Sequence, residues 1–153
     1  MFKKNLYGEK LKMCEKGNNG IGSSSVNDNT CSEMGGGVHQ ICVRNIGQGK
    51  SFSKETGQQD WSSKKGINNH CACLGAWALY VSKGHNDKFV KCDAIPDTIF
   101  NQIYQKNWST WNGLELDNQA EIGLKSIYDQ CIKDAPNQEA KQYLKSKYYT
   151  MNN

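Results

Sequence analysis

Arginine is almost missing from this chain: 18 of its 19 basic residues are lysines, Arg44 stands alone, and 16 asparagines accompany them. Recognition of phosphates and base edges leans on the guanidinium fork. The net charge of +4 is therefore read as a solvated lysine face, and nucleic acid is not an expected partner. Lysine and asparagine share AT-rich codons, so the bias fits an AT-rich host, a parasite or a large DNA virus. Long apolar runs are also absent. Nothing approaches the roughly 18 consecutive apolar residues of a membrane helix, so no membrane span is expected. The opening residues, from Met1 and Phe2 to Lys10, lack the hydrophobic stretch of a secretory signal. A non-secreted chain, cytoplasmic or carried within a viral particle, is the expectation.

Several catalytic patterns are missing as well. Gly35, Gly36 and Gly37 lead into a strand rather than a helix, which excludes the P-loop arrangement. No serine stands in a nucleophile elbow. Glu115 and Asp117 have no partner base, so paired-carboxylate chemistry is not indicated. His85 follows Gly84 in what reads as an exposed turn, where a solvated imidazole is expected.

What the chain has is cysteine. Seven are present among 153 residues: Cys14, Cys31, Cys42, Cys71, Cys73, Cys92 and Cys131. An odd number leaves at least one thiol free, metal-bound or paired between chains. A domain of this length buries roughly two-thirds of its unfolded surface, so neither disulfides nor metal are required for folding. Without a signal peptide, the cysteines point to metal or redox chemistry more than to a permanent disulfide framework.

The periodicity predicts a small single α+β domain with short strands, about four helices and a helical C-terminal extension. Residues 15–37 form a long irregular Gly-rich loop, and loops of that length tend to be functional or disordered. Residues 38–46 read as a strand anchored by Ile41 and Val43, and residues 52–57 as a helical turn. A helix is predicted over 72–83, its stripe formed by Leu74, Trp77, Ala78 and Val81, with Gly84 as the left-handed terminator. Residues 88–93 read as a strand. Pro96 opens a helix with Ile99, Phe100, Ile103 and Tyr104 inward. A third helix carries Ala120, Leu124, Ile127, Tyr128 and Cys131, and a last one after Pro136 carries Ala140, Tyr143, Leu144 and Tyr148.

Two clusters could carry chemistry, His39-Gln40-Ile41-Cys42 and His70-Cys71-Ala72-Cys73. Thiols with imidazoles are the ligand types that favour zinc, although a Cys-x-Cys pair is tighter than the usual structural zinc spacing. His39, Cys42, Cys71 and Cys73 are the candidate metal ligands. Cys71 and Cys73 also stand where the helix is predicted to begin, and a helix start stabilises a thiolate and lowers its pKa. They are thus the candidate nucleophiles, with a nearby histidine as base. Small buried cysteines packed beside Trp77 are the plain alternative.

The order of these motifs resembles a small bacterial family described only as a domain of unknown function. The likeness begins at Tyr7-Gly8-Glu9 with Leu11 and Cys14, then resumes at Gly37-Val38-His39-Gln40-Ile41-Cys42. It passes through Phe52-Ser53-Lys54, Gly57 and Asp60 to Cys71-Ala72-Cys73 with Trp77 and Gly84, and continues through the strand and helix spanning Phe89 to Phe100. This divides the chain into a family-like core, residues 1–106, and an extension, residues 107–153, packed on the same domain. The family's adjacent loop cysteines are replaced here by Ser23 to Ser25 and a lone Cys31, its aromatic before the Cys-x-Cys by His70, and its arginine before the tryptophan by Ala76. The resemblance implies a fold and thiol positions, and no activity.

Two functions follow as expectations. One is a Cys/His thiol cluster that binds metal or responds to redox conditions. The other is a disulfide-stabilised structural or interaction protein, for instance a particle component, with a protein partner or a second copy of itself. In that case Trp108, Trp111, Tyr143, Tyr148 and Tyr149 would supply the contact surface. Cys92 and Cys131 are further expected to lie close and to tie the extension down, as a contact or a disulfide.

Overall fold

The β-branched pair Ile41 and Val43 opens the regular structure with β1, His39–Val43, which is buried from Gln40 onward. It is followed by α1 (Phe52–Glu55), β2 (His70–Cys73), α2 (Leu74–Ser82), two 3-10 turns (Cys92–Ala94 and Asp97–Phe100), α3 (Gln102–Trp108), β3 (Thr110–Trp111), β4 (Leu114–Glu115), α4 (Asp117–Asp134) and α5 (Gln138–Thr150). This is a computed structural model that describes residues 3–15, 29–32, 39–63, 68–108, 110–111 and 114–151. Most of the expected Gly-rich loop lies outside them, as do the side chains of Trp108 and Trp111. The architecture is α+β, with helices around small antiparallel sheets.

β1 and β2 pair antiparallel, with Cys42 opposite Cys71, Val43 opposite His70 and an irregularity between His39 and Ile41. That pairing moves the start of the helix. Ala72 and Cys73 read as the first residues of that helix, yet they belong to β2 and pair with β1. Cys73 stays extended, with φ −82° and ψ 159°, as the cap before Leu74. Gly84 closes this region with a φ of +90°, the left-handed conformation expected there.

The segment read as a strand over 88–93 runs alongside β1 without forming a full ladder. It makes one bridge, Val43 to Val90, supported by Arg44 N–H to Phe89 O at 2.8 Å and Lys91 N–H to Cys42 O at 2.9 Å. The chain then turns into 3-10 geometry. The single helix expected after Pro96 is broken at Asn101, which is extended. Its side-chain oxygen accepts from the N–H groups of Ile103 and Tyr104 and so starts α3 afresh. The break turns Ile103 outward, 70% exposed, while Ile99, Phe100 and Tyr104 stay buried.

Helix α2 is buried nearly all round, at Gly75, Ala76 and Tyr80 as well as at Leu74, Trp77 and Ala78. One face meets the β1–β2 sheet and another lies across α4. The α2–α4 crossing is close because position 123 has no side chain. A Cβ there would sit 3.0 Å from Ala78 Cα and 3.3 Å from both Ala78 Cβ and Trp77 Cδ1. Replacing Gly123 by Val should push the helices apart and destabilise the protein by about 1–3 kcal/mol. Gly123→Ala should change stability less, since better helix propensity offsets part of the crowding. Thermal melts of the two variants check the ranking.

Helices α4 and α5 lie against the N-terminal segment as well. Tyr7 Oη donates to Cys131 O at 2.7 Å, and Tyr143 Oη to Asp97 Oδ2 at 2.7 Å. Gly8, with φ +82°, faces the Tyr143 ring so closely that a Cβ would come within 2.7 Å of it. The inward stripe of α4, Ala120, Leu124, Ile127, Tyr128 and Cys131, is buried as its spacing requires. Among the described residues, no helix is long and apolar enough to cross a membrane.

Candidate functional site

The β1–β2 register sets Cys42 and Cys71 side by side on one face of a two-stranded sheet. They do not bond to each other. Cys42 is joined to Cys14 and Cys71 to Cys31, with Cα–Cα separations of 5.6 and 5.4 Å, both ordinary for disulfides. Cys14 is thus tied to β1 and Cys31 to β2. Asn69, just before β2, holds Cys14 and Glu15. Its amide donates to Cys14 O at 2.7 Å, and its backbone N–H donates to Glu15 Oε2 at 3.1 Å. Cys14 N–H is held in turn by Asn29 O at 3.0 Å.

The two bonds form one body of sulfur. The Sγ atoms of Cys14, Cys31 and Cys42 lie within 4.8 Å of one another, and Cys71 is attached through Cys31. All four residues are completely buried. Cys14 and Cys31 belong to this centre although their spacing in the sequence gave no motif. The signal that could have found them is arithmetic: strand cysteines that cannot be satisfied by each other need partners from elsewhere in the chain.

The structure places the expected residues as follows. Cys42 and Cys71 come together as cross-strand neighbours, each committed to a disulfide, so Cys71 has no thiol to offer as a nucleophile in this state. His39 stands opposite Cys73 at the far end of the ladder, beyond the irregularity. Among the described residues, the group of three or more ligand atoms that converges is Cys14, Cys31 and Cys42, without His39 or Cys73.

Cys73 is the one free cysteine and it is buried. The lowered pKa expected of a thiol at a helix start does not appear. Burial pushes the thiol up, and hydrogen bonding from the backbone of Ala76 and Gly75 offsets this only in part. A nucleophilic cysteine needs its thiolate accessible near neutral pH, and this environment works against both requirements.

His85 is likewise not the solvated residue expected. Its side chain is 14% exposed, its Nε2 is 3.3 Å from Glu55 Oε2, and its ring lies 4.7 Å from that of Tyr80. Of the C-terminal aromatics, Tyr148 and Tyr149 pack on one another and on Tyr128. Tyr128 and Tyr148 stack at 4.0 Å, and Tyr149, 66% exposed, meets them edge-on.

The third disulfide shares no cysteine with this centre. Cys92, in the first 3-10 turn, is bonded to Cys131 of α4 with Cα atoms 5.7 Å apart. The expected proximity of these two residues is therefore found, in its covalent form. Comparison with protein-family models, curated proteins and solved structures returned no match to this chain.

Proposed function

We propose that this is a structural or interaction protein whose shape is fixed by disulfides, rather than an enzyme. The observation that carries this reading is that six of the seven cysteines are closed into three buried disulfides. Two of them interleave, joining residues 14 to 42 and 31 to 71, so the N-terminal segment and the β1–β2 sheet are pinned as a unit. The third pins α4 to the turn that follows β1's neighbouring segment. The remaining thiol, Cys73, is held protonated by burial. Such bonds persist in an oxidising setting, such as a cell or particle surface, and are rare in the reducing cytosol. A stapled core of this kind suits a protein that presents a fixed surface to a partner.

Labelling of thiols tests the proposal. Protein purified without reductant should take up a single alkyl group after unfolding, and seven after reduction. Before unfolding, Cys73 should react slowly near neutral pH, because its protonated sulfur is shielded from the reagent. Seven labels on unreduced protein would sink the proposal, as would rapid native labelling of Cys73 coupled to turnover.

A further inference from the structure

The sulfur body at the β1–β2 sheet has a second use when its bonds are open. We infer that the reduced chain binds one thiophilic divalent cation of the zinc class through Cys14, Cys31, Cys42 and Cys71.

The geometry is close to that of a metal site. Zinc–sulfur bonds of about 2.3 Å in a tetrahedron place the sulfurs about 3.8 Å apart. Three of the four sulfurs already lie within 4.8 Å of one another. The fourth, on Cys71, is bonded to Cys31 and its Cα is opposite that of Cys42. Opening the two bonds lets each bonded pair relax outward, and the Cys71 sulfur, which lies outside the three that already converge, has to swing toward them from its place opposite Cys42. The backbone need not move far, because the sheet register holds Cys42 and Cys71 while Asn69 holds Cys14.

Charge and burial favour the same outcome. Four neutral thiols crowded into an apolar core gain little from each other, whereas a cation gathers them around one centre. The bound form carries a net double negative charge, and a lysine is held on the backbone next to two of the cysteines. Lys91 donates its backbone N–H to Cys42 O at 2.9 Å and its ammonium to Met13 O at 2.6 Å. It therefore links Cys42 to the residue that precedes Cys14. Reduction by a phosphine and water opens each disulfide to two thiols and leaves the phosphine oxide. Binding then replaces four S–H bonds with four metal–sulfur bonds and releases four protons. Neither step needs Cys73 or His39. The site keeps Cys42 and Cys71 from the set expected on sequence and takes Cys14 and Cys31 in place of the other two.

Cobalt(II) titration of the full chain tests the inference, after phosphine reduction and removal of the phosphine without oxygen. The expected result is one cobalt per chain, with the thiolate charge-transfer band and strong visible bands of tetrahedral coordination. Zinc should displace the cobalt, and zinc binding should release protons as pH-dependent affinity. Cys14→Ser and Cys31→Ser should each lose the tetrahedral spectrum. Cys73→Ser, His39→Ala and the double variant Cys92→Ser/Cys131→Ser should keep it. An octahedral spectrum, or none, overturns the inference, including where the reduced chain unfolds and stays unfolded with metal. So does a tetrahedral signal that falls equally with any cysteine removed, which would mark unspecific capture by an unfolded chain. Native disulfides in the thiol-labelling experiment would leave these outcomes unaffected, so the structural proposal and this inference stand or fall separately.

Discussion

Trp77→Ala should lower the unfolding free energy by about 3–5 kcal/mol, the range for truncating a large aromatic in a core. The indole is buried where α2 crosses α4. Its N–H donates to Gly123 O and Ser126 Oγ, both at 3.2 Å. Removing the ring empties the space that the missing side chain at Gly123 was shaped to admit, and the surrounding helices can close it only in part. Trp77→Phe separates the contributions. It keeps most of the apolar contact and loses the donor, leaving Gly123 O to other partners, so a smaller loss of about 1 kcal/mol is expected. Urea titration reads both values as a lower midpoint at an unchanged slope. A loss for Trp77→Ala no larger than that for Trp77→Phe would show that the ring does not fill the core.

Removal of the Cys92–Cys131 bond is the second large effect. The bond closes a loop of 39 residues in sequence separation, for which the chain-entropy relation gives about 4 kcal/mol. The double variant Cys92→Ala/Cys131→Ala should fall by roughly that amount against the oxidised parent. The same comparison made in reductant should show a far smaller gap, because the parent has then lost its own bond. A large gap that survives reduction would instead assign the effect to packing of the two sulfurs, which are buried on α4 and its neighbouring turn. Interleaving makes the other two bonds less separable: opening Cys14–Cys42 leaves Cys31–Cys71 still spanning part of the same chain path.

The sulfur centre shows how far local reading reaches. His39-Gln40-Ile41-Cys42 and His70-Cys71-Ala72-Cys73 were visible as clusters, and Cys42 does return to Cys71. Their bonding partners were not visible, since four cysteines allow three pairings and nothing local chooses among them. The charge state of Cys73 failed to follow from its place at a helix start. A helix terminus favours the thiolate, but desolvation acts on the same sulfur and is the larger effect here. Burial depends on what packs over a residue, and the covering side chains come from other parts of the chain.

The sequence by itself determined the α+β class and the buried stripe of α4, Cys131 included, because that stripe rests on spacing within one element. It also determined Gly84 as a left-handed terminator, since a residue without a Cβ takes that conformation without steric penalty. Only the tertiary structure decided that His70–Cys73 is a strand, because its backbone bonds are completed by β1, about thirty residues away in the chain by the register of that pairing. Only the tertiary structure joined Cys14 to Cys42 and Cys31 to Cys71. A disulfide forms between sulfurs that folding brings within reach, and that reach is a property of how distant segments pack.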